Sequence, residues 1–315
     1  MAIAAIAWLT PSARADDTAA SGKVNVVATT GMIADAVKLV GGEHVTVKAL
    51  MGSGIDPHSY RQTRSDIRAM ARADLVLWHG LYLEAQMQDF ITDLGKHRSV
   101  IAVAEALPKT ELLSHDTYAD KQDPHVWMDP ALWSTVVETV REALIETAPD
   151  HADDFRANAA AHLQEMETMA DKIASALATV PKENRVLLTA HDAFAYFGKA
   201  YDFEVIGIQG ISTESEAGLQ RIRELVDMLV TRKIGAVFVE TSVSNRNIKA
   251  LIEGAASRGH TVNIGGELFS DAMGQPGSYE GTYIGMIDHN ATTITRALGG
   301  EAPERGLEGR LTMGS

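Results

Sequence analysis

After Pro149 the chain runs for about 30 residues, as far as Val180, without a glycine or a proline, and this stretch constrains the fold more than any other. Apolar and alanine side chains recur there at Phe155, Ala159, Leu163, Met166, Met169, Ile173 and Leu177, the spacing of one helical face. At 1.5 Å per residue such a helix is roughly 45 Å long, more than the diameter of a small domain. It is expected to cross from one half of the molecule to the other. The length of 315 residues agrees, since roughly 150 residues per domain gives two units.

On either side of that stretch, short β-branched runs alternate with amphipathic helical patterns. Before it, strands are expected at 24–29, 44–50, 75–78 and 100–103, and helices at 31–40, 65–73 and 83–94. After it, strands are expected at 185–189, 203–208, 236–239 and 261–264, and helices at 193–200, 215–232, 245–258 and 283–298. Strands alternating with helices give parallel sheets covered on both faces. The expected fold is therefore α/β: a first lobe over 24–148, a linking helix over 149–180 and a second lobe over 181–315.

Composition narrows the function classes. With 45% hydrophobic and 22% charged residues the chain has the balance of a packed globular protein. Its 42 acidic residues outnumber 28 basic ones, for a net charge of −14, a field that repels nucleic acid and attracts cations. No cysteine is present, which excludes disulfides, thiolate metal sites and cysteine nucleophiles. The first nine residues form a short apolar run, and Ala13-Arg14-Ala15 follows as a small-x-small cleavage pattern. Residues 1–15 read as a secretory signal peptide, although no basic residue precedes the apolar run. With no cysteine to carry a lipid, a soluble periplasmic protein without an anchor is expected, and a monomer.

Eleven histidines are present, and most have an ordinary reading as exposed or packed imidazoles. His44, His97, His151, His162, His260 and His289 stand near element ends with no distinctive company. Three others do not. His58 lies in Gly54-Ile55-Asp56-Pro57-His58-Ser59-Tyr60, just past the carboxyl end of an expected strand, where open α/β sheets bind ligands. His125 lies in a second Asp-Pro-His, and a proline before the imidazole limits the freedom of its backbone. His191 follows the strand at 185–189. Three imidazoles from loops of this kind suit a transition metal, and Asp271, past the strand at 261–264, is the carboxylate that completes the set.

These residues sit in a longer series: VATTGMIADAV (27–37), GIDPHSY (54–60), DPHVWMDP (123–130), LLTAHDAFAYFGKAYDFE (187–204), GISTESEAG (210–218), GELFSDAMG (266–274) and GTYIGMIDHN (281–290). In that order they resemble the metal-binding solute-binding proteins of ABC transporters for manganese, zinc and iron, with the TroA-like fold. The resemblance implies two lobes joined by one long helix, with the metal between them held by His58, His125, His191 and Asp271. It also implies a membrane permease as partner. Part of the family has Glu at the place of His191, a form associated with manganese and iron; His is nearer the manganese and zinc branch. Only His115 stands in the segment 113–122, where zinc-dedicated relatives often carry a His-rich loop.

The rival readings are a metal-dependent hydrolase and an adhesin or interaction protein with a structural metal. A catalytic metal keeps three protein ligands and an open position for water, whereas four protein ligands close the shell. Capture of manganese or zinc, with iron admitted, is the expected function, and no catalysis is expected. Glu240 is expected beside the ligands as a supporting carboxylate, Trp127 as packing against the site and His79 as a structural residue.

Overall fold

The computed structural model describes residues 22–114 and 120–312; the expected signal peptide lies outside them. In the first half, β1 (Val24–Ala28), β2 (Val45–Ala49), β3 (Leu75–Trp78) and β4 (Val100–Ala102) form a parallel sheet of order β2-β1-β3-β4. Between them run α1 (Gly31–Gly41), α2 (Arg64–Arg72) and α3 (Gln88–Leu94). Then come α4 (Pro130–Thr147) and α5 (Ala152–Ala178). The second half holds β5 (Val186–Thr189), α6 (Ala195–Tyr201), β6 (Glu204–Gly207), α7 (Leu219–Arg232), β7 (Ala236–Glu240), α8 (Arg246–Ala256), β8 (Asn263–Leu268) and α9 (Tyr283–Ala297). There β5 pairs with β6 and β7 with β8, both parallel, and β5 lies beside β7. Among the described residues the second half thus holds two two-stranded parallel sheets, where the first has one sheet of four strands.

Side-chain alternation along the strands explains the layers. In β1 and β3, Val26, Ala28, Leu75 and Leu77 face one apolar core, while Val27, Val76 and Trp78 face a smaller one with Met70 of α2 and Ile91 of α3. In β5 and β7, Leu187, Ala236 and Phe238 join the first of these cores, while Val186, Leu188 and Val237 pack on α7 and α8. The shared core is filled by α1, α4, α5 and α9, which bring in Ile33, Trp133, Phe155, Met166, Tyr283 and Met286. It lies between the two sets of strands. The halves thus meet through a continuous apolar layer as well as through a helix.

The long helix is 27 residues, preceded by a turn of 3-10 helix, and packs against α4, α1 and α9. Its length is roughly 40 Å. Two elements depart from the sequence reading. The helix expected from residue 83 begins only at Gln88, because Gly80, Leu81 and Tyr82 all have positive φ. The buried Glu84 carboxylate fixes that turn by accepting from Thr29 Oγ1 (2.6 Å), His79 N (2.7 Å) and Gly80 N (3.2 Å). Helix α4 falls outside the strand–helix alternation, since no strand directly precedes it; Asp129 caps it by accepting from Ala131 N at 2.9 Å, with Pro130 in its first turn.

A shared core should make the halves unfold together. Met166 is fully buried in the middle of α5, and Met166→Ala is expected to destabilise the protein by about 2–5 kcal/mol. Trp78, Trp127 and Trp133 all lie in the first half, so fluorescence reports that half and far-ultraviolet circular dichroism reports the whole. Urea transitions followed by the two probes should coincide in both proteins; separate transitions would show that the halves unfold independently.

Candidate metal centre

His58, His125, His191 and Asp271 converge, each offering one ligand atom within 4.8 Å of the others, and all four are buried. His58 stands between β2 and α2, His191 between β5 and α6, and Asp271 between β8 and α9, each beyond a strand's carboxyl end. His125 is on the approach to α4, far along the chain from β4. Gly54, with φ of +72°, turns the His58 loop in the left-handed region that glycine favours. At Gly207 a Cβ would come within 2.6 Å of Asp192 N, so glycine lets β6 lie against the His191 loop.

The spacing is that of a coordination shell. His58 Nε2 and His125 Nε2 are 3.2 Å apart, His125 Nε2 and Asp271 Oδ1 3.4 Å, and His191 Nε2 and Asp271 Oδ2 3.2 Å. Tetrahedral ligands at about 2.0–2.1 Å from zinc are about 3.3 Å from one another. His191 Nε2 and Asp271 Oδ1 are buried with no hydrogen-bond partner, a costly state for polar atoms unless a cation joins them.

Carboxylates behind the imidazoles set their tautomers. Asp123 Oδ1 accepts from His125 Nδ1 at 2.7 Å, and Glu240 Oε2 accepts from His191 Nδ1. Each carboxylate also takes its histidine's backbone N–H, at 3.0 Å for Asp123 and 2.9 Å for Glu240. With Nδ1 bearing the proton, Nε2 points a lone pair at the centre. Glu240 fulfils the supporting role expected of it. Asp123 takes the same role for His125, and its only signal in the sequence is its place two residues before that histidine.

The electrostatics of the four groups depend on one another. Burial alone would lower the His125 imidazole, but the Asp123 and Asp271 carboxylates outweigh it and bring it up to about 9. For His191 burial is likewise outweighed, by Asp271 and Glu240, which hold it well above the ordinary histidine value. Asp271 resists the upward push of burial because His191, His125 and His58 hold it well below the usual carboxylate range. The carboxylates thus favour the charged form of His125 and His191, and a cation binding among them would have to displace those protons.

Both halves supply the scaffold. Trp127 Nε1 donates to Ser270 O at 2.7 Å and its ring lies edge-on to His125, while Tyr283 Oη donates to Trp127 O at 2.9 Å. Tyr196 Oη donates to Asp123 O at 2.8 Å, and Thr213 Oγ1 donates across the seam to Asp56 Oδ2 at 2.6 Å. His79 Nε2 donates to Pro124 O at 2.7 Å, with its ring between Trp127 and Trp133.

Residues 26–297 match the family model described as zinc-uptake complex component A, periplasmic. The chain belongs to this family. It is 47% identical over 276 residues to the manganese-binding lipoprotein MntA of Bacillus subtilis, covering 88% of this chain and 90% of that protein. It is 44% identical over 298 residues to the zinc-binding protein TroA of Treponema pallidum, covering 95% and 96%. The solved structure of that periplasmic TroA superposes with a TM-score of 0.86 at 45% identity, over 88% of this chain and 99% of that one. The zinc-uptake family assignment and the TroA-like α/β fold agree with the expectation from the sequence, and no helix among the described residues is long and apolar enough to cross a membrane.

Two outcomes test the scaffold. Glu240→Gln should weaken metal binding by about 10–100-fold, as loss of a carboxylate behind a ligating imidazole does, with the fold retained by circular dichroism. His79 is pulled down to about 3 by burial, with the charge of His125 adding to the effect and the bond to Pro124 opposing it. The unfolded chain, with its histidine at 6.5, therefore binds more protons than the folded chain between about pH 3 and 6.5, and stability falls as pH falls through that window. Relative to His79→Gln, the wild type should lose on the order of 1.5–2 kcal/mol between pH 6.5 and 5 in urea unfolding. A difference that stays constant would mean that His79 is not held neutral.

Proposed function

We propose that the protein captures a divalent transition-metal ion as cargo between its two halves and delivers it to the membrane permease of an ABC importer. In this reading His58, His125, His191 and Asp271 are the ligands, with 24–148 and 181–315 as the lobes and 149–180 as the link between them. The observation that carries it is the convergence of four buried ligand atoms, one from each residue, within 4.8 Å of one another. Membership of the zinc-uptake family supports the permease as partner and an exported, periplasmic place of work. The protein acts as a monomer, and its net negative charge disfavours nucleic acid.

Manganese and zinc are the proposed cargo, with iron a third candidate. The names of MntA and TroA point to the same two metals. Zinc binds more tightly than manganese in the usual divalent order, so the ion carried depends on which is available. Capture is favoured over hydrolysis because four protein ligands leave no position for water and Glu240 is engaged with His191.

Protein purified without added metal should contain about one equivalent of manganese or zinc by elemental analysis, and zinc should displace manganese in competition. His58→Ala and Asp271→Ala should each lower affinity by roughly 100-fold or more, beyond the effect of a supporting carboxylate. Unchanged stoichiometry and affinity in both variants would falsify the proposed ligand set. A structural metal would be needed for folding. The metal-free protein is therefore expected to keep its secondary structure and melt cooperatively, with metal raising the midpoint.

A further inference from the structure

A second group of metal-ligating side chains lies at the other end of the first sheet. His44 closes the 3-10 turn before β2, His151 closes the turn before α5, and Asp154 stands in the first turn of α5. His44 Nε2 is 2.8 Å from Asp154 Oδ2. The His44 and His151 rings stack with centroids 3.9 Å apart and planes 16° apart, and buried Phe155 meets both at its edge. One ligand atom from each of the three residues lies within 4.8 Å of the other two. Along the chain these histidines have no distinctive company; the fold brings them together.

We propose that His44, His151 and Asp154 form a second, partly exposed site for a borderline divalent cation such as zinc, copper or nickel. The chemistry of the donors supports this class. Two imidazoles and one carboxylate suit zinc, copper and nickel, which in the usual divalent order bind such a set more tightly than manganese does, whereas magnesium and calcium favour shells of oxygen. The His151 ring nitrogens have no protein hydrogen-bond partner among the described residues, which leaves a lone pair for a metal. Both imidazoles are packed on Phe155 and so partly fixed before an ion arrives, while the exposed Asp154 can swing to close the shell. Exposed Asp150 and Asp153 add negative charge nearby.

The site is separate from the buried centre. It adjoins the amino end of β2, and His58 lies beyond the carboxyl end of that strand, about 16 Å away along five residues. With three protein ligands its remaining positions are open to water, so it binds more weakly than a closed four-ligand shell. Its existence does not depend on the assignment of the buried ligands.

Calorimetric titration of the metal-free, full-length protein with zinc chloride tests this. The wild type should show a tight class and a weaker class of one equivalent, and manganese chloride only the tight one. His151→Phe keeps a ring on His44 and Phe155 but removes the nitrogens; it should weaken the second class at least tenfold while leaving the tight class and the thermal midpoint unchanged. Asp154→Asn should act in the same direction, whereas His97→Ala, at an exposed histidine elsewhere, should leave both classes intact. In His58→Ala the weaker class should persist, which separates failure of this site from failure of the buried one. A wild type with no second zinc equivalent overturns the proposal, and so does a weaker class unchanged in both His151→Phe and Asp154→Asn.

Discussion

The structure turns on the pairing of charge in a place that water does not reach. Asp123, Glu240 and Asp271 bring three carboxylates to one buried seam, and His58, His125 and His191 face them. Isolated ions in such surroundings would cost several kcal/mol each, so every group there has to be matched. Carboxylates take Nδ1 of His125 and His191, which aims Nε2 of each at Asp271. What remains is a cluster of four ligand atoms within 4.8 Å of one another, a set that a divalent cation would match.

A seam of this kind needs walls that do not drift, and the apolar layer between the sheets provides them. Helix α5 buries Phe155, Met166, Met169 and Ile173 among α1, α4 and α9, so it is held along its length. Wide rotation of the halves would open that layer and expose a large apolar area at roughly 25 cal/mol per Å². Local movement is cheaper. The segment with Gly54, Asp56 and His58 is tied across the seam by the Thr213 bond to Asp56, together with a longer one from Gln275 to Ser53 at 3.4 Å. Release of these bonds would free the His58 segment without disturbing the shared core.

Much of this was legible in the sequence, for reasons that differ by element. The long helix and most strands could be read because their periodicity is local. His58, His191 and Asp271 could be found because strand ends can be found, and His125 because a second Asp-Pro-His repeats the first. The late start of α3 was hidden: it depends on Glu84 reaching back to Thr29, which no window of neighbouring residues contains. The orienting role of Asp123 and the stacking of His44 on His151 were hidden too, since each depends on a side chain's direction or on contacts more than 100 residues apart in sequence. Pattern carries the elements; it does not carry the company a side chain keeps.

His125 shows how the two kinds of information combine. Strands deliver His58, His191 and Asp271 close to their places, but β4 ends at Ala102 and His125 follows much later. The sheet does least for His125, which is held instead by its scaffolding. His79 holds Pro124 from within the first half, whereas Tyr196, Ser270 and Tyr283, which fasten Asp123 and Trp127, all belong to the second. A residue nominally of the first half is thus placed by the second. Docking of the halves and completion of the centre become one event, and an ion that prefers the complete centre must also strengthen the seam that surrounds it.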